Sequence, residues 1–228
     1  MEPAHPSSRL QVVLLALVLL ALGLSSISPF DWPTWWMEVS PVLVAVPLLT
    51  FTRRRFEFTT LLYVLMATFC VLLVTGGHYT YARVPFGEWM RETLGTERNP
   101  YDRLGHAMQG VVPALIAREL LVRTSPLKPG GWLFTCCTAI ALSIAALYEL
   151  LEYATALVAG DGSIEFLGVQ GDIWDAQNDM FTAWVSALLA LLLLGRWHDR
   201  QMARLAARHA AGTARLAPGA SSPAGASP

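Results

Sequence analysis

Charge is what this chain has least of. Only 14% of its 228 residues are Asp, Glu, Lys or Arg, against 54% hydrophobic residues and a mean hydropathy of +0.45. That balance excludes an ordinary water-soluble globular domain. No basic stripe is present, which excludes nucleic acid as a partner. The three cysteines, Cys70, Cys136 and Cys137, all sit inside apolar runs. They read as small packing residues, so neither a disulfide framework nor a cysteine zinc set is expected. No internal repeat is visible, and no Glu-x-x-His pair occurs among the acidic residues discussed below.

What is present is a series of apolar runs, several near the roughly 20 residues that span a bilayer. The fold class expected is all-α, a polytopic transmembrane bundle with membrane lipids as partners. Six helices are placed at about 10–27, 36–51, 59–77, 102–122, 131–158 and 173–197, in one domain covering 1–200. Residues 201–228 read as a basic, frayed helix and then a disordered Ala/Pro/Gly/Ser-rich tail. The first run also fits a signal peptide loosely; an uncleaved helix keeps the number of spans even. Trp32–Trp36 reads as an interfacial, Trp-rich turn, and PFGEWMRETLG (85–95) as a short amphipathic helix at the interface.

Lys and Arg set the orientation. With the N-terminus inside, Arg9, Arg53–Arg55, Arg118, Arg123, Lys128, Arg196, Arg200, Arg204, Arg208 and Arg215 are cytoplasmic. Those are twelve of the sixteen basic residues, against Arg83, Arg91, Arg98 and Arg103 outside. The expected topology is therefore N-in/C-in.

That topology brings the polar residues of four helices to the outer side of the membrane. His78 ends the third helix, Asp102 and His106 open the fourth, Glu149 and Glu152 lie near the end of the fifth, and Asp172, Asp175 and Asp179 open the sixth. The faces agree. Asp102, His106 and Gln109 share one sector at helical spacing, and Glu149 and Glu152 continue a stripe of Thr138, Ala141 and Ala145. Ionisable groups at membrane depth usually face a protein interior or a water-filled cavity. Six carboxylates against Arg103 as the one fixed cation cannot all stay ionised in a poorly hydrated site. Either some protonate or a cation joins them, and a divalent metal ion is the candidate cofactor.

The motifs His78-Tyr79, Asn99-Pro-Tyr-Asp-Arg-Leu-Gly-His106, Tyr148-Glu149-Leu-Leu-Glu152-Tyr153 and Gly171-Asp-Ile-Trp-Asp-Ala-Gln-Asn-Asp-Met180 resemble the YjdF-type family over residues 55–197. The resemblance implies a multi-pass protein of the bacterial cytoplasmic (inner) membrane and supplies no chemistry. A more remote similarity is to VanZ-like membrane proteins, through Asp102-Arg103-x-x-His106 and Glu149. The chain departs from that pattern at Glu152, where a Gln is expected, and at Asp179, where an Asn is expected.

Three functional readings stand. In the first, an enzyme acts on a lipid-linked or envelope substrate, with His106, Glu149 and Glu152 as catalytic residues and His78, Asp102, Asp172, Asp175 and Asp179 as metal ligands. In the second, the carboxylates serve a proton- or cation-coupled transporter. In the third, they are the structural polar cluster of a membrane scaffold. The substrate and the oligomeric state stay open.

Overall fold

A computed structural model describes residues 6–159 and 170–216. The 160–169 part of the acidic hinge and the Ala/Pro/Gly/Ser-rich tail beyond Leu216 lie outside the described residues. Among those described, the chain forms seven α-helices and a 3-10 turn (Tyr81–Arg83), with no strand. The helices are α1 (Pro6–Ser25), α2 (Trp32–Thr52), α3 (Thr60–Tyr79), α4 (Pro85–Leu94), α5 (Tyr101–Thr124), α6 (Gly131–Ala159) and α7 (Asp175–Leu216).

Four stretches are long and apolar enough to cross a membrane: Trp32–Thr52, Thr60–Tyr79, Gly131–Val158 and Asp175–Ala211. The two remaining expected spans behave differently. α1 contributes a shorter apolar stretch, Arg9–Ser25. α5 has the length, but its polar face keeps its average hydropathy low. The amphipathic helix expected at 85–95 is α4, ended by Gly95 in the left-handed conformation, the usual glycine stop.

Two boundaries move. The Trp-rich segment is not a turn but the first turn of α2: Asp31 accepts the Thr34 N–H at 2.8 Å and Pro33 follows the cap, a standard helix start. At the other end α7 runs unbroken to Leu216, so the frayed helix expected after 197 is continuous with the span. Its Arg- and Ala-rich continuation is made of strong helix formers.

The helix at the centre is α5, which packs on α7, α6 and α3, while α1 and α2 pack on α3. Small residues make the close crossings. Ala141 and Ala145 on α6 and Ala183 and Ala187 on α7 are fully buried, and Gly110 of α5 lies directly against the Ala183 carbonyl of α7. A Cβ at 110 would collide with that backbone, so the two helices would have to separate. Gly110→Ala is expected to lower stability by about 1–3 kcal/mol, the usual cost of overpacking. Thermal unfolding in detergent would show it as a lower melting temperature.

A second polar layer closes the opposite end. The fully buried Glu119 accepts from the Thr59 hydroxyl (2.8 Å), from Arg123 Nη1 (2.6 Å) and from His198 Nε2 (2.8 Å). It ties α5 to the start of α3 and to α7.

Candidate functional site

The polar residues expected at one depth meet, with the exception of His78. α5 supplies Asp102, His106 and Gln109, the end of α6 supplies Tyr148, Glu149 and Glu152, and the start of α7 supplies Asp175 and Asp179. The connections that frame them are held by side chains that imitate backbone. Asn99 accepts the Tyr101 N–H at 3.0 Å and donates to the Ala82 and Val84 carbonyls. The Gln170 amide pairs with both the N–H and the carbonyl of Asn99, at 2.9 and 3.2 Å. Asp172 accepts the Trp174 N–H (2.9 Å) and the Asn178 amide (3.0 Å), which anchors the start of α7. Those bonds, with Arg103 and Arg98 nearby, hold its carboxyl below the ordinary aspartate range.

Two guanidiniums divide the aspartates between them. Arg98 binds Asp102 Oδ2 at 3.0 Å and also Asp175. Arg103 binds Asp172 at 3.0 Å, Asp175 at 2.8 Å, and Asp179. Arg98 was not foreseen as a member of the site, although it stands four residues before Asp102, the spacing of a helical ion pair.

His106 is nearly buried, with 7% of its side chain exposed. Its Nδ1 donates to Gln109 Oε1 at 2.8 Å. Its Nε2 faces Asp102 Oδ1 at 3.6 Å, Asp179 Oδ1 at 3.6 Å and Glu149 Oε1 at 3.8 Å, all beyond hydrogen-bond length. Two sets of three potential ligands share His106: Asp102, His106 and Asp179, and His106, Glu149 and Glu152; within each set the ligand atoms lie within 4.8 Å of one another. The two sets differ in charge. The aspartates carry arginine partners. Glu149 Oε1 is buried with no hydrogen-bond partner among the described residues, on a side chain only 9% exposed.

A cavity of about 210 Å³ opens beside the second set, lined by His106, Tyr148, Glu152 and Asp102 and, from α2 and the 3-10 turn, by Glu38 and Tyr81. Glu38 is 2% exposed, and the Tyr148 hydroxyl donates to it at 3.1 Å. Seven carboxylates thus surround two guanidiniums and one imidazole. The sequence signal for Glu38 is its solitude, as the one acid within the apolar α2. His78 does not join the cluster. Its Nδ1 donates to the Ser25 carbonyl at 3.0 Å and its ring packs on Tyr79, tying the end of α3 to the end of α1. Asp172 and Asp175 stay with the arginines at the rim.

Fold and site together define a helical membrane protein with an acid-rich histidine pocket at one end of its bundle. The chain belongs to the family described as "Predicted membrane protein (DUF2238)", whose model matches residues 10–200. It is similar to the inner membrane protein YjdF of Escherichia coli (strain K12), with 47% identity over 190 residues that cover 83% of this chain and 90% of that protein. It is accordingly a protein of the bacterial inner membrane. No solved structure matches. The VanZ-like likeness rests on motif residues alone; the matches show the YjdF family.

Proposed function

We propose that the protein crosses the inner membrane six times with both termini in the cytoplasm. At its outer-leaflet side it holds one divalent metal ion on His106, Glu149 and Glu152 and uses it on a lipid-linked or envelope substrate. The orientation follows from the Lys and Arg distribution.

The observation that carries the metal is the unpartnered Glu149 Oε1, buried 3.8 Å from His106 Nε2. A buried carboxylate oxygen with no donor is costly. With Nδ1 donating to Gln109, Nε2 is the ring nitrogen that faces that oxygen. A cation between them removes that cost. At metal–ligand bonds of roughly 2.0–2.2 Å, tetrahedral ligand atoms stand roughly 3.3–3.6 Å apart, near the 3.8 Å between His106 Nε2 and Glu149 Oε1. One histidine and two carboxylates leave a coordination position open towards the cavity, as catalytic metal sites do.

The expected roles are thereby exchanged. The three residues expected to be catalytic are the best metal ligands, and the aspartates expected as ligands hold the arginines that frame them. A bound metal would lower the pKa of a water in the open position and polarise a substrate oxygen. Glu38, across the cavity with Tyr148 and Tyr81 beside it, is then the carboxylate placed to take a proton. Clustering of the acids at one end, without a matching set at mid-depth among the described residues, favours an enzyme over a transporter.

Calorimetric titration of chelator-treated protein with Zn²⁺, Mn²⁺ and Mg²⁺ tests this reading. One saturable site is expected for at least one of the ions, lost in His106→Ala. Saturation that survives in His106→Ala, or no binding of any of the three by folded wild type, would contradict it. Gln109→Leu should leave the ligands in place and weaken binding about 10–100-fold, the usual effect of freeing a metal-bound histidine from its outer partner. The same titration reads it.

A further inference from the structure

The opposite end of the bundle carries a second feature, independent of the carboxylate pocket. α1 and α2 both pack on α3 and scarcely on each other, which leaves a cleft between them with α3 as its floor. A cavity of about 90 Å³ lies along it. At its mouth stand Gln11, Thr50, Tyr63 and Arg53, near the end of α2 and the starts of α1 and α3. From there it runs inward to Val18 and Cys70 between apolar walls. The seven helical steps from Gln11 to Val18 and from Tyr63 to Cys70 give it a depth of about 10 Å at the helical rise.

The mouth is cationic. Arg53 lines it, and Arg54 and Arg55 follow at once, all three exposed. No ion pair of these three occurs among the described residues. Glu57, the nearby carboxylate, is taken up by Gln11 Nε2 at 3.1 Å and by His209 at 3.1 Å. A narrow apolar slot open to the bilayer core and ending under a cluster of free guanidiniums complements one kind of molecule. That molecule has an acyl chain and an anionic phosphate head. Arginine suits the phosphate through its paired donors, and basic clusters at membrane ends attract anionic lipid. A zwitterionic lipid has the chain but not the net charge.

We infer that the α1–α2–α3 cleft binds an anionic phospholipid, one acyl chain between the helices and the phosphate on Arg53–Arg55. By the Lys and Arg distribution this is the cytoplasmic leaflet. The lipid completes the packing of α1, which otherwise rests mainly on α3.

Native mass spectrometry of the delipidated full chain tests the site, with phosphatidylglycerol and phosphatidylcholine of identical acyl chains as probes. Wild type is expected to retain phosphatidylglycerol at least fivefold better. Arg53→Gln should reduce that preference about fivefold, the weight of one basic residue at such a surface. Its side chain is exposed, so folding is not at risk. Ala67→Phe, which fills the cleft, should lose both lipids, and inorganic phosphate in excess should not displace bound phosphatidylglycerol. Equal retention of the two lipids, an unchanged preference in Arg53→Gln, or displacement by phosphate alone would overturn the inference.

Discussion

Glu149→Gln is expected to leave the protein folded and to weaken its metal binding on the order of 100-fold, the loss of a primary ligand exceeding that of an outer partner. The substitution is nearly isosteric and separates two accounts of the same buried oxygen. If Glu149 needs a cation, an amide in its place donates where it should accept, and the site loses both charge and a ligand atom. If Glu149 is instead a neutral, protonated acid, glutamine reproduces it and the protein is as stable as before or slightly more so. The position favours a sharp answer, because the side chain is only 9% exposed and Oε1 has no donor among the described residues. Metal titration and thermal unfolding, run on the same preparation, read the two effects separately.

Arg103→Ala is expected to cost about 3–5 kcal/mol, the range for removing one partner from a buried ion pair. Arg103 bridges α5 to α7 through Asp172 and Asp175, at 3.0 and 2.8 Å, and through Asp179, whose side chain is 3% exposed. Without it, Asp179 keeps a buried charge facing Asp102 across His106. The penalty comes from the stranded carboxylate more than from the lost contact. A second substitution, Asp179→Asn, should therefore recover a large part of the loss, and unfolding of the double variant measures how much. Arg103→Lys should recover little, since one ammonium cannot serve three carboxylates along a fixed fork.

Much of the site was legible because depth and face can be read from spacing. Asp102, His106 and Gln109 repeat at helical intervals, and the Ala141 and Ala145 stripe pointed Glu149 into the bundle, where both alanines are fully buried. His78 shows the limit of that reasoning. It lies at the right depth, but depth does not fix azimuth, and its ring turns towards α1. Glu38 was visible as a residue and not as a partner, because a lone acid in an apolar helix has no periodic neighbour to declare which way it faces. Arg98 was hidden by its place in a connection, where helical spacing is not assumed.

Helix ends followed a similar division. The Asp31 cap and Pro33 were present in the sequence, yet the density of tryptophan suggested an interfacial anchor instead. The unbroken run of α7 to Leu216 reflects Ala and Arg propensity, which apolar periodicity does not register. What sequence alone did not reveal is the partition of charge. Which carboxylates meet an arginine and which do not depends on the crossing of α5 with α6 and α7, and that crossing is set by contacts such as Gly110 on Ala183.

The most direct test of a metal on His106, Glu149 and Glu152 is the metal content of detergent-purified protein by elemental mass spectrometry, with His106→Ala prepared in parallel. About one equivalent of a single divalent metal in wild type, absent from the folded variant, is the expected result. Folded wild type that holds no metal after chelator-free purification and fails to take one up would contradict it. The buried Glu149 oxygen would then have to be satisfied by its own proton.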